Sequence, residues 1–141
     1  MSSTRSFRRI VLLAVPWFFA GASPAVEAKP FCGVRSIEGG YGYVVNGTNV
    51  GSGPVSAVGL TDADGSGNLT ATDTVSANGT VVRRTITGSY TVNANCTGSV
   101  VFTDNFGQTT HLDFVLEDNL RQFHFIQTDP GTVTTGIGTK Q

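Results

Sequence analysis

Along this chain the apolar residues are ordered in two different ways. Ile10 to Ala22 form an uncharged apolar run interrupted by Pro16. Beyond residue 36 no second run of that kind occurs, and no amphipathic helical pattern of useful length. Apolar and polar positions there alternate with period two between turn signals, the mark of half-buried strands. Tyr41, Tyr43 and Val45 alternate and meet a turn signal at Asn46-Gly47. Gly51-Ser52-Gly53-Pro54 reads as a loop, after which Ser56, Val58 and Leu60 alternate up to a turn over 62–68. Leu69, Ala71, Asp73, Val75 and Ala77 share one side of a strand that ends at Asn78-Gly79. Val82, Arg84 and Ile86 follow up to Gly88, and Tyr90 and Val92 begin a further short strand. Val100 with Phe102, Leu112 with Phe114 and Leu116, and Phe123 with Phe125 mark three more. Val133 to Thr139 closes the chain.

This reading predicts eight or nine short strands with hairpin-length connections. Sequential strands joined by tight turns are antiparallel neighbours. The expected fold is therefore all-β, a small antiparallel up-and-down β-barrel of about eight strands. Closure is favoured because it removes exposed strand edges. A β-sandwich is the alternative, without the immunoglobulin signature, since Trp17 is the only tryptophan.

The first apolar run is read as an address. Arg5, Arg8 and Arg9 precede it, and small-residue cleavage patterns follow at Ala20-Gly21-Ala22 and Val26-Glu27-Ala28. Its length suits a signal peptide better than a bilayer span. Cleavage after Ala28 is preferred, which makes 1–28 a signal peptide and 29–141 a single secreted domain. Six cationic side chains then face nine acidic ones, a net charge of −3. With no basic stripe, nucleic acid is not expected as a partner. No membrane span is expected once the signal is removed. The strands read as shorter than the roughly nine to eleven residues a membrane barrel needs, and the chain ends in Lys140-Gln141 rather than an aromatic. The two cysteines, Cys32 and Cys96, are expected to form one disulfide in an oxidising compartment.

Three groups of residues could carry chemistry. Asp62, Asp64, Ser66, Asn68 and Asp73 fall at the ligand steps of a calcium-loop template, with Gly67 at its bend. The last ligand step holds the shorter Asp instead of Glu, and the flanks read as strands, so a hairpin turn is preferred and no metal is expected. The second group is polar: Asp73, Arg84, His111, Asp113 and His124. Asp73 shares its face with Leu69 and Val75, and Arg84 with Val82 and Ile86, which allows an Asp73–Arg84 pair inside a barrel. His111 and Asp113 alternate against Leu112 and Phe114, and His124 against Phe123 and Phe125, so these three fall on the opposite side. Histidine beside a carboxylate is general acid–base material. The third group is aromatic: Tyr41, Tyr43, Phe102, Phe114, Phe123 and Phe125 would line a barrel interior. No nucleophile elbow, Walker loop or dinucleotide fingerprint occurs, and no cofactor is expected.

Several stretches together carry a family resemblance. They are the opening from Gly39 through Tyr41 to Gly47, the hairpin Asp64-Gly65-Ser66-Gly67-Asn68, Gly88-Ser89-Tyr90-Thr91-Val92-Asn93 with Cys96-Thr97-Gly98, and Phe125-Ile126-Gln127-Thr128-Asp129-Pro130-Gly131. Over nearly all of 29–141 the chain resembles a group of small secreted bacterial proteins of unknown function. In strand count and size it is also similar to allene-oxide-cyclase-like and calycin-like barrels, a likeness of architecture that carries no catalytic residue across. The resemblance implies a bacterial source and a secreted or periplasmic location, and no activity.

Three functions compete. A non-catalytic barrel binding a small apolar ligand would need an interior void lined by the aromatic group. A surface-interaction protein would use an exposed strand face. An isomerase- or cyclase-like enzyme acting on an apolar substrate would need the five polar residues to converge in a concave site. Binding ranks above catalysis because no catalytic motif is present.

Overall fold

The structure, a computed structural model, describes residues 31–117 and 119–141, together with residues 21 and 23. The expected signal segment and its cleavage after Ala28 lie outside the described residues but for 21 and 23.

A 3-10 turn, Val34–Ile37, leads into eight strands: β1 Gly39–Asn49, β2 Gly53–Ala63, β3 Asn68–Ala77, β4 Thr80–Val92, β5 Thr97–Asp104, β6 Thr109–Leu116, β7 Gln122–Gln127 and β8 Thr132–Lys140. Each pairs antiparallel with the next, and β1 pairs with β8 from Tyr41 opposite Lys140 to Asn49 opposite Thr132. The sheet is thus a closed up-and-down barrel, and that last pairing rules out the sandwich. Asn78-Gly79 makes a tight turn with φ of 46° and 87°, the pair of positive values a type I′ hairpin requires.

Two glycine signals do other work. Asn46-Gly47 is not a turn, and Gly88 does not end a strand: β1 runs on to Asn49 and β4 to Val92. A Cβ at Gly47 would collide with the backbone of Val133 and Thr134, and one at Gly88 with Val101 and Phe102. These glycines let neighbouring strands approach closely in mid-strand. The strands are correspondingly longer than the alternation alone marks; β1, β2 and β4 have 11, 11 and 13 residues. Length therefore does not distinguish this barrel from a membrane one, and no helix among the described residues is long and apolar enough to cross a membrane. The outer face is mixed: Thr72, Arg83, Thr85, Thr87, Ser89 and Thr91 are exposed on β3 and β4, and Val44, Val58, Leu60, Val101, Val115, Ile126 and Ile137 on the other strands.

Aromatic and glycine positions face each other across the strand pairs. Tyr43 lies opposite Gly59, Phe102 opposite Gly88, Phe114 opposite Gly98, Phe125 opposite Gly136 and Phe123 opposite Gly138. In each case a Cβ on the glycine would strike the facing aromatic residue. At Gly59, Gly98, Gly136 and Gly138 it is the ring that would be struck, so those four aromatic rings cover the backbone that a glycine leaves bare.

The core sits at one end of the barrel. There Cys32, Ile37, Tyr41, Ala63, Tyr90, Cys96, Phe114, Leu116 and Phe125 form one buried cluster. The segment ahead of β1 closes this end as a plug. Cys32 is bridged to Cys96 in the β4–β5 turn. The Tyr90 hydroxyl donates to the Val34 carbonyl at 3.0 Å, and Tyr41, 1% exposed, donates to the Leu120 carbonyl at 3.4 Å. Phe123 packs edge-on against Tyr41 and Phe114. Burial of each such ring contributes about 2–3 kcal/mol.

Candidate functional site

The other end of the barrel is open and hollow. A cavity of about 1130 Å³ reaches from the Asn49–Gly53, Asp104–Thr109 and Gln127–Thr132 connections down to Phe123 and Phe125. Its wall is more apolar than polar, with Val45, Ala57, Leu69, Ala71, Val75, Ile86, Val100 and Leu112 joining Tyr43 and Phe102. Of the six expected lining aromatics, Tyr43, Phe102, Phe123 and Phe125 line it. Tyr41 and Phe114 do not; they belong to the packed cluster beneath, because their inward positions on β1 and β6 fall nearer the plugged end.

One polar group crosses the apolar wall. Asp73 and Arg84 are register partners on β3 and β4. The Arg84 Nε and Nη2 donate to the two carboxylate oxygens of Asp73 at 2.9 and 2.6 Å, a bidentate pair. Tyr43 donates its hydroxyl to Asp73 at 2.9 Å, and Arg84 Nη1 donates to Asp104 at 3.3 Å. The other Asp104 oxygen accepts the backbone N–H groups of Phe106 and Gln108, so the same carboxylate shapes the rim loop. Asp73 and Asp104 are 6% and 8% exposed.

Protonation equilibria reflect this burial. Desolvation, then the charge and hydrogen bond of Asp73, raise the Tyr43 hydroxyl far above its ordinary value, with Arg84 pulling the other way. Burial alone would lower Arg84, but the hydrogen bond and charge of Asp73, with smaller help from Tyr43 and Asp104, hold it above its usual range. The phenol is neutral and the guanidinium charged at any physiological pH. Thr134, on β8, is also buried in the cavity wall, and its Oγ1 has no hydrogen-bond partner among the described residues.

The five polar candidates do not form one cluster. Asp73 and Arg84 face the lumen. His111, Asp113 and His124 stand on the outer face, as the period-two alternation of β6 and β7 dictates. His111 Nδ1 meets Asp129 at 2.7 Å beside the β7–β8 loop, and His124 Nε2 meets Glu117 at 2.8 Å. Asp113 and His124 share an outer groove of about 920 Å³ with Val44, Val115 and Ile137. The barrel wall separates them from Arg84, so the convergent acid–base set that the catalytic reading needed is not formed.

The calcium-like turn is a hairpin held by its own carboxylate. Asp64 accepts the backbone N–H groups of Ser66 and Asn68 and the Asn68 amide. The Asn68 amide bond foremost, then the two backbone bonds, lower its pKa. Asp73 cannot join Asp62, Asp64, Ser66 and Asn68 around one ion, because it points into the barrel and is bound to Arg84.

Asp104 and Thr134 were not singled out from the sequence. Asp104 continues the inward series Val100, Phe102, but its neighbours Asn105-Phe106-Gly107 mark it as a turn residue. It is both, the last inward residue of β5 and the cap of the next loop.

No family model matches the chain, and no curated protein matches it. Among solved structures, the fold is similar to a redesigned β-barrel, mFAP1, solved bound to DFHBI, with a TM-score of 0.56 and 14% identity. The likeness covers 76% of this chain and 97% of that one. It is a likeness of barrel architecture and carries no family.

Proposed function

We propose that this protein is a secreted, non-catalytic barrel that binds a small apolar ligand in the open half of its lumen. The observation that carries this reading is the cavity of about 1130 Å³ with its aliphatic and aromatic wall. Small-molecule sites are typically roughly 300–1,000 Å³, mostly apolar, with a few placed polar groups. Eight strands are about the number at which a barrel can hold one small ligand. The similarly folded mFAP1 was solved with a small molecule bound. Residues 1–28 act as the signal peptide and 29–141 as the mature domain, consistent with a disulfide that suits an oxidising compartment.

The test is titration with N-phenyl-1-naphthylamine, an uncharged fluorophore that brightens in apolar surroundings. The expected result is saturable one-to-one binding, abolished by Ala71→Trp, which places an indole in the lumen. A folded wild-type protein that gives no saturable signal overturns the reading. Mass spectrometry of the exported protein should show a chain beginning at Lys29; a chain retaining its first residues would sink the secretion part.

A further inference from the structure

The charged side chains that line the cavity are Asp73, Arg84 and Asp104. Two carboxylates face one guanidinium, and Tyr43, which stays neutral, adds no charge. The lumen therefore carries one net negative charge inside an apolar wall. Asp73 is saturated: both its oxygens bind Arg84 and one also accepts from Tyr43. Asp104 is not. It receives Arg84 through a single bond at 3.3 Å, while its other oxygen is committed to the rim loop. The excess charge thus rests on Asp104 Oδ2, just inside the mouth.

A buried carboxylate that shares its single cation with a second carboxylate gains from a further cationic partner. Other inward side chains near it are apolar or weak dipoles: Ile86 is its register partner on β4, and Phe102 is the inward residue two positions before it on β5. Thr134 supplies a second incomplete group in the same cavity, a buried hydroxyl without a partner among the described residues. Low-dielectric surroundings strengthen the field of such a charge over what it would be in water.

We infer that the ligand is a cationic amphiphile, an apolar chain or ring system bearing one protonated amine, with the amine against Asp104 below the β5–β6 rim and the apolar part running down to Phe123 and Phe125. This rests on the cavity being a binding site. It adds the chemical class and the orientation. An anionic ligand, a fatty carboxylate for example, would meet the same field with the wrong sign, and Arg84 cannot offset it because Asp73 already holds it bidentately.

Displacement of bound N-phenyl-1-naphthylamine by decylammonium, decanol and decanoate, below their micelle concentrations and at neutral pH, tests this. The three differ only in head group. The ammonium is expected to bind on the order of tenfold more tightly than the alcohol, and the carboxylate more weakly than either. In Asp104→Asn, whose amide oxygen can still accept from Phe106 and Gln108, the ammonium and the alcohol should bind within about twofold of each other. Equal affinities of all three for the wild-type protein would overturn the charge inference and leave the cavity reading standing. Tightest binding of decanoate would overturn it as well and point to Arg84. Binding of none of the three, with the fluorophore also failing to bind, overturns the cavity reading and this inference with it. The wild-type comparison needs no variant, so a poorly folding Asp104→Asn does not blunt it.

Discussion

The same eight strands run through two unlike halves. Toward the end that holds Cys32 and the 3-10 turn, inward positions carry Tyr41, Tyr90, Phe114 and Leu116, and the space between them is filled. Toward the other end, inward positions carry Val45, Ala57, Ala71 and Val75, and the space between them is empty. Strand pairing and alternation are alike in both. Side-chain volume and a plug make the difference: large residues and a covalently held cap close one end, whereas small inward residues on β1 to β3 and open hairpins leave the other hollow. The packed cluster therefore lies at one end and the candidate site at the other.

The comparison would be tested hardest at the plug. Cys32 and Cys96 are 64 residues apart, and the chain-entropy model gives about 4 kcal/mol for a loop of that size. Cys32→Ser with Cys96→Ser should lower unfolding free energy by about that amount in urea melts, while fluorophore binding by the folded fraction is retained. Loss of binding without loss of stability would mean that the halves are not separable. The next largest effect belongs to the polar crossing. Arg84→Met leaves two buried carboxylates facing each other and should destabilise by about 3 kcal/mol, with most of it recovered in Arg84→Met with Asp73→Leu. A single variant within about 0.5 kcal/mol of wild type would show that water already reaches the group.

Smaller again is Gly136→Ala, which sets a methyl against the Phe125 ring and the Val44 carbonyl. Overpacking of this kind typically destabilises by about 1–3 kcal/mol, and Phe125→Leu in the same chain should relieve part of it. If Gly136→Ala is neutral, the ring is not pressed onto the wall. The pH dependence is gentler still. Burial foremost raises Tyr41, Tyr43 and Tyr90, all the tyrosines of the chain. A raised pKa contributes stability that is complete below the unfolded value of about 10 and is lost as pH rises toward the folded values. The urea midpoint should fall above about pH 10, with tyrosinate absorbance appearing only as the barrel unfolds. At the acid end, Asp129 at the open rim is lowered. Its desolvation is outweighed by bonds from the His111 backbone, Gln127 and the His111 ring. Asp64 at the plugged end is lowered too, through its turn bonds. Their contributions hold above about pH 4 and fade as pH drops through the folded values.

Much of this was legible in the sequence, for a definite reason. Period-two alternation fixes which side chains share a face, so Asp73 beside Arg84, and His111 with His124 on the far side, could be read without coordinates. Two things could not. An in-strand glycine looks like a turn until its cross-strand neighbour is known, as Gly47 and Gly88 show. Alternation also does not say which face is inside: Val58 and Leu60 alternate like core residues, yet both are exposed, and β2 turns Val55, Ala57, Gly59 and Thr61 inward instead. Whether a lumen is full or hollow depends on volumes summed around the whole ring, which no local window contains.

The Cys32–Cys96 bridge has a mechanical consequence. It ties the entry of the chain to the turn between β4 and β5, so tension applied at the two ends runs through the bridge and on into β5. The load bypasses β1 to β4. Only β5 to β8 can be drawn out while the bridge holds, and reduction frees a further 64 residues, about 220 Å of contour at roughly 3.4 Å per residue. Under force this barrel is a hooped half and a loose half, divided at a place where its hydrogen-bonded sheet shows no seam at all.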